Sequence, residues 1–278
     1  MSLVINTNVA SLNAQRHLHA SRSDLETAME RLSSGKRINS AMEDAAGLTI
    51  AHSLETKVKS LETAARNAND AISLIHLGEG ALDAVSGMLV RMRELATQAL
   101  NGTYSAADRD NLDAEFQQLI SEITRISDNT YFNGINVIGG TSSLSFQIGY
   151  DSDDSISLTL QDMASTAIGN VNTSEYLDDQ DVDTVANAGD ALDSVDAALS
   201  DVDSYRVAMG AVANRLNHTV ENLYSRIEQQ TAAKSRIQDA DYAVESANLA
   251  RAQVLQQAGT AMLAQANAST MNVLSLLK

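Results

Sequence analysis

From Ala191 to Arg226 the apolar residues Leu192, Val195, Leu199, Val202, Met209, Ala213, Leu216, Val220 and Leu223 recur mostly at steps of three and four. That spacing keeps one face of a helix apolar and predicts a long packing seam, interrupted only by Arg206. A second seam opens the chain. Ile5, Val9, Leu12, Leu18, Leu25, Met29 and Leu32 fit a helix that stops at Ser33-Ser34-Gly35, where a turn or hinge is expected. A third runs from about Asp44 to Ala99 through Val58, Leu61, Ala65, Ala68, Ile72, Ile75, Leu82 and Leu89, and closes at Asn101-Gly102. Ser105, three residues before Asp108, caps a shorter helix carrying Leu112, Phe116, Leu119, Ile123 and Ile126, which can fold back on the preceding one.

After Asn133-Gly134, a two-residue turn signal, the period changes. Residues 144–148 and 155–160 alternate apolar and polar, which predicts strands joined by the loop Gly149 to Asp154. From Met163 to Gly189 the chain is small, polar and acidic and reads as loop, with helix resuming near Asp190. The last stretch carries Ile237, Val244, Val254, Ala258, Met262, Ala266, Val273 and Leu277 on one helical face. The fold class expected is mainly α: a long antiparallel helical bundle or coiled coil formed by both chain ends, with a small β-hairpin region in the middle. Neither terminal seam has enough neighbouring chain to bury it alone, so the pattern points to self-assembly.

Composition strengthens this picture. The 278 residues contain no proline, where average usage of about 5% predicts a dozen or so, so nothing breaks long helices from within. Aromatic residues are 4% and Trp is absent, which suits thin bundles filled by Leu, Ile, Val, Met and Ala. Acidic residues outnumber basic ones 36 to 19, and residues 151–205 hold no Lys or Arg. Nucleic acid is therefore not an expected partner, because phosphate binding depends on clustered cations. The acidic run reads as a solvated, self-repelling surface.

No cysteine is present, so disulfides and thiolate metal sites are excluded. The first ten residues lack a basic segment ahead of an apolar one, and no apolar run approaches the ~18 residues a membrane helix needs. Neither a cleavable secretory signal nor membrane insertion is expected.

Candidate chemistry is sparse. Asp179, Asp181, Asp183 and Asp190 fall at positions one, three, five and twelve of a calcium loop, but Thr184 stands where the turn glycine belongs and Asp190 where a bidentate Glu belongs. Solvated loop acids are the better reading. Gly78-Glu79-Gly80 lacks a third glycine and follows helix, so it is no phosphate cradle. His17, His19, His52, His76 and His218 form no metal-binding pair. No nucleophile, base and orienting group can be named, so neither an enzyme nor a cofactor is expected.

Leu32-Ser33-Ser34-Gly35-Lys36-Arg37-Ile38-Asn39-Ser40, followed by Asp44-Ala45-Ala46-Gly47, resembles bacterial flagellin, the subunit of the flagellar filament. Ile5-Asn6-Thr7-Asn8, Arg93-Glu94-Leu95-Ala96-Thr97-Gln98-Ala99, Phe132-Asn133-Gly134, Gln256-Gln257-Ala258-Gly259 and the closing Leu276-Leu277 extend the likeness. It covers roughly the first 140 and last 90 residues, far beyond a short-motif match. The resemblance implies a short form with inner domains only. Residues 1–43 and 236–278 would form the two halves of a terminal coiled-coil domain at the filament core. Residues 44–235 would form an outer helical domain with β-hairpins at about 131–175. Ile5, Val9, Leu12, Val254, Ala258, Met262, Val273 and Leu277 would supply the terminal core packing.

The function so implied is a structural subunit of an extracellular filament for swimming motility, secreted by type III export. Its partners would be copies of itself, an export chaperone, the filament cap and hook-junction proteins. Arg91, Leu95, Gln98, Leu112 and Glu115 match positions of the surface that, in some flagellins, is seen by the innate immune receptor called Toll-like receptor five and is buried between subunits. The same residues also read as ordinary ion pairs and bundle packing. Ser and Thr between Thr141 and Ser174 match loops that flagellins often O-glycosylate. The alternatives are a hook–filament junction protein, which shares terminal helices, and a secreted helical translocator, for which the required long apolar hairpins are missing.

Overall fold

The computed structural model describes residues 7–171 and 176–275 of the chain, with side chains to residue 268. Five helices dominate: α1 (Val9–Ser34), α2 (Ala45–Ala99), α3 (Ala106–Asn129), α4 (Val185–Gln238) and α5 (Tyr242–Ser275). Four short strands lie between α3 and α4: β1 (Tyr131–Phe132), β2 (Ile135–Asn136), β3 (Ser143–Gln147) and β4 (Ser155–Thr159). The chain divides into two compact units, one of residues 1–58 and 228–278, the other of residues 59–227, with the boundaries inside α2 and α4.

In the first unit α1 and α5 pair antiparallel, as the contacts Asn8 to Ala266, Leu18 to Gly259 and Arg31 to Glu245 require. Asn8 caps the start of α1 by accepting the Ser11 N–H at 3.0 Å. Gly35 ends the helix in the left-handed region at φ 70° and returns its N–H to Arg31 O at 2.9 Å. An L side chain there would be strained, whereas glycine adopts this cap freely.

The second unit is a bundle of α2, α3 and α4 with the strands laid against it. Gly78 meets Met209, Asp83 meets Arg206 and Arg93 meets Asp196, so α2 and α4 run antiparallel. The core runs through Leu82, Val85, Leu89, Met92, Leu95, Phe116, Ile123, Val195, Val202, Tyr205 and Met209, all almost fully buried. Tyr205 carries the α4 seam through the place where Arg206 interrupts the sequence pattern: its ring is buried and its hydroxyl donates to Val137 O at 3.1 Å. Burial pushes the Tyr205 phenol up to about 12. Arg206 lies beside the seam and reaches Asp83 at 3.3 Å.

Both hairpins follow the sequence signals. Asn133 at φ 49° and Gly134 at φ 82° make the two-residue turn between β1 and β2. In the second hairpin Leu144 faces Leu158 and Phe146 faces Ile156, and Ile156 and Leu158 are buried. The tip is held by the Arg226 guanidinium over the Tyr150 ring, 5.5 Å from its centre, and by Asn67, which donates to Gln147 O at 3.1 Å.

Helix α4 begins at Val185, earlier than the sequence expectation near Asp190, because the Thr184 hydroxyl accepts the Asn187 N–H at 3.1 Å. A break at residues 239–241 separates α4 from α5, where Asp241 accepts the Ala243 and Val244 N–H groups. Among the described residues no helix is long and apolar enough to cross a membrane.

Candidate functional site

Two surfaces stand out, one on each unit. On the second unit, α2 and α3 present a charged face. The turn between them is fixed by a reciprocal cap: Ser105 accepts the Asp108 N–H while Asp108 accepts the Ser105 N–H. Arg109 then donates to Ala99 O at 2.9 Å, satisfying a carbonyl that the end of α2 would leave open.

This fixed turn sets Glu115 of α3 opposite Arg91 of α2. Arg91 donates from Nε and Nη2 to the two Glu115 oxygens, at 2.8 and 3.2 Å, and from Nη1 to Glu94 at 3.0 Å. The hydrogen bonds to Glu115 and then Glu94 hold the guanidinium above its ordinary pKa, and the same bond holds the Glu115 carboxyl below its own. Both side chains remain about half exposed, at 47% and 45%. The pair therefore contributes little to stability but fixes a two-pronged charged group in one orientation.

Beside this pair lies a groove of about 550 Å³ lined by Val90, Arg93, Glu94, Thr97, Gln98, Asn101 and Tyr104. Gln98 is half-buried and donates to the Tyr104 hydroxyl at 2.8 Å. Arg93 closes one side through Asp196 at 2.6 Å. The five sequence-matched residues thus separate by environment. Arg91 and Glu115 are exposed, Gln98 and Leu112 are half-buried, and Leu95 is wholly inside the core at 0% exposure.

The α1–α5 pair forms the other surface. Its seam is filled by Ser11, Ser21, Ala28 and Ala252, which are buried, with Leu18, Leu25 and Leu263 half-buried. At Gly259 an added Cβ would come within 3.2 Å of Leu18, so the helices approach closely there. Large apolar side chains point the other way. Val9 is 70% exposed, Leu12 57%, Val254 64% and Met262 63%, and Ala258 is exposed as well. Ile5 and Leu277 lie outside the described residues, and so does the Val273 side chain.

Sequence reasoning passed over the polar clasp at the base of this pair. Arg31 donates to Glu43 and to Glu245, each at 3.1 Å, although Glu245 is only 9% exposed. Burial opposes the Arg31 charge, but the hydrogen bonds to Glu245 and Glu43 outweigh it and hold its pKa above the ordinary value. Glu43 is held below its ordinary value, first by the Asn39 N–H at 2.7 Å and then, against some burial, by Arg31. The backbone joins in: Arg37 N–H donates to Gln238 O and Ala240 N–H to Gly35 O. Glu43, four residues past Asn39 and just before α2, was the available signal.

The acids spaced like a calcium loop do not converge. Asp179 accepts the Tyr176 N–H, while Asp181 and Asp183 share the Asn187 amide at 2.6 and 2.9 Å. Burial raises the Asp181 pKa, helped by Asp183. Among the described residues no group of three or more His, Asp or Glu is placed to hold a metal ion.

Known proteins resemble the chain along nearly its whole length. The family model of the bacterial flagellin N-terminal helical region matches residues 5–143, and that of the C-terminal helical region matches residues 192–277. A flagellin of Halalkalibacterium halodurans is 42% identical over 277 residues, covering 99% of this chain and all of that protein. A flagellin of Bacillus subtilis is 40% identical over 302 aligned residues, covering 99% of each. The crystal structure of Bacillus cereus flagellin, 34% identical, covers 57% of this chain and 88% of that one with a TM-score of 0.50. A putative flagellar hook-associated protein from Vibrio parahaemolyticus shares the fold at a TM-score of 0.61 with 14% identity, over 71% of this chain and all of that one. With both terminal helical regions matched and full-length identity at this level, the chain belongs to the bacterial flagellin family.

Proposed function

We propose that the chain is a structural subunit of the bacterial flagellar filament, polymerising outside the cell with copies of itself through the outward faces of α1 and α5. Flagellins are structural proteins and not enzymes. The observation that carries the reading is the inverted packing of the terminal pair: its fully buried positions include the small residues Ser11, Ser21, Ala28 and Ala252, while Val9, Leu12, Val254 and Met262 face water. Burying such side chains is worth about 1.5–3 kcal/mol each, a gain that a neighbouring copy would supply.

Contacts repeated from copy to copy without closure generate a filament instead of a ring. Residues 1–43 and 236–278 form its inner domain, and 44–235 the outer one. The test is seeded elongation of purified subunit followed by electron microscopy. The full chain extends the seeds, and a chain lacking residues 1–43 and 236–278 does not. Native-like filaments from the trimmed chain would overturn the proposal.

The charged face on α2 and α3 supports a second role. The exposed, oriented Arg91–Glu115 pair beside an open groove suits recognition by Toll-like receptor five when the subunit is free, and by a neighbouring subunit when it is assembled. Arg91→Glu is expected to abolish receptor signalling by purified monomer while lowering its melting temperature by no more than a few degrees, the cost of setting a third carboxylate beside Glu94 and Glu115. Unchanged signalling would remove this role. An export chaperone, the filament cap and hook-junction proteins complete the set of partners, each testable by co-purification with the full chain.

A further inference from the structure

Asparagine stands directly before glycine at two places in the sequence, Asn101-Gly102 and Asn133-Gly134. Asparagine is a chemically labile residue. It is most labile ahead of glycine, which offers its backbone nitrogen no side chain to shield it and leaves the chain free to bend toward the preceding amide. All four residues are exposed, so access to water does not separate the two pairs. Local geometry does.

Asn133 and Gly134 lie at φ 49° and 82° in the left-handed turn that joins the paired residues Phe132 and Ile135. A left-handed residue holds its side chain and the next nitrogen on opposite sides of the Cα–C bond, so joining them means unwinding the turn and its pairing. Asn101 and Gly102 belong instead to the loop between α2 and α3. There Asn101 N–H donates to Gln98 O at 3.2 Å, Tyr104 N–H to Asn101 O at 3.3 Å and Arg109 Nη2 to the same oxygen at 3.4 Å. Exposed bonds of this length open locally at little cost. The Thr103 N–H donates to Asn101 Oδ1 at 3.2 Å, which turns the side chain along the chain over the Gly102 peptide. A donor at that oxygen also steadies the negative charge that forms there when Cγ is attacked. Among the described residues no acceptor takes the Gly102 N–H.

We propose that Asn101-Gly102 is a self-modification site, at which the Gly102 nitrogen attacks the Asn101 side-chain amide and converts it to a carboxylate. The nitrogen gives up its proton and bonds to Cγ, the Cγ–Nδ2 bond breaks and ammonia leaves, and water then opens the resulting imide at either carbonyl. No oxidation or reduction takes place, and the products are aspartate and isoaspartate. Either one adds a negative charge to the groove that Asn101 shares with Arg93, Gln98 and Tyr104. Isoaspartate also inserts a methylene into the backbone between the end of α2 and the Ser105 cap, where Arg109 ties down Asn101 O.

The test incubates the purified full chain at mildly alkaline pH, where the attacking nitrogen loses its proton more readily, and follows both asparagines by peptide mass spectrometry with fragmentation that distinguishes isoaspartate. Asn101 is expected to convert several-fold faster than Asn133 in the folded chain. The two rates are expected to draw together in urea, where the hairpin no longer holds Asn133. Gly102→Ala supplies a second measurement: its Cβ meets nothing within 4 Å and its backbone lies outside the left-handed region, so the fold is kept while the nitrogen is shielded. This variant is expected to slow conversion at Asn101 several-fold and to leave Asn133 unchanged. Equal rates at the two sites in the folded chain, a ratio that urea leaves unchanged, or an unaltered rate at Asn101 in Gly102→Ala would overturn the proposal.

Discussion

Leu95, one of the residues proposed above for receptor recognition, has no exposed area, so its truncation separates contact from stability. It belongs to the cluster that holds Met92, Ala96, Ala99, Phe116 and Val195. Replacing it with Ala leaves a cavity in a close-packed core, which costs about 2–5 kcal/mol depending on how far the neighbours collapse. A unit of this size shifts by roughly 2–4 °C per kcal/mol, so Leu95→Ala is expected to lower the midpoint by about 6–12 °C for a central cost near 3 kcal/mol. Differential scanning calorimetry of the monomer measures this, with receptor signalling recorded at a temperature where the variant is still folded. Signalling restored under those conditions fits a residue that acts through the fold. A midpoint within 1 °C of the unaltered chain would refute the placement of Leu95 in the core.

Other expectations follow from single interactions. Gly35→Ala puts a Cβ on a left-handed residue and is expected to destabilise the end of α1 by about 1–2 kcal/mol, seen as faster amide exchange in its last turn. Glu43 titrates below its ordinary 4.5 in the folded chain, so its contribution is complete above that pH and is lost as pH falls through the lower folded value. The Asn39 amide resonance should follow this titration, and a midpoint at or above 4.5 would contradict the clasp. Tyr205→Phe leaves the buried Val137 carbonyl without its donor and should cost about 1–2 kcal/mol in thermal melts. Because the Tyr205 phenol is raised from 10 to about 12, its stabilisation is complete below pH 10 and fades between pH 10 and 12, a loss that the Phe variant should not share.

Local chemistry made much of the fold legible. Gly35 as a helix stop, the Ser105–Asp108 cap and the Asn133-Gly134 turn each act through backbone groups within a few residues, so sequence spacing suffices to find them. What escaped depends on distance. Tyr205 looked unremarkable beside Arg206, because its role rests on a carbonyl 68 positions away. The Thr184 cap was hidden because its small, acidic surroundings read as loop, and the break at Asp241 because the apolar helical pattern runs on through Ile237 and Val244. The same limit applied to the site. Periodicity identifies an apolar face on α1 and α5 but not whether it meets the partner helix or points outward. Leu95 and Arg91 are one helical turn apart, and only the packing of α3 and α4 places one inside and the other at the surface.

The inverted terminal pair also bears on how such a sequence can drift. A side chain at Gly259 would require Leu18 to give way by a few tenths of an ångström, and in the filament proposed above an outward position that turned polar would weaken the contact with its neighbour. Residues 144–191 are matched by neither family model, yet Ile156, Leu158, Leu160, Met163, Ile168, Leu177 and Val182 within them are buried in the core of the second unit. Variation in the midsection is therefore limited by the residues it buries against α2, α3 and α4, and is freest at the exposed hairpin positions.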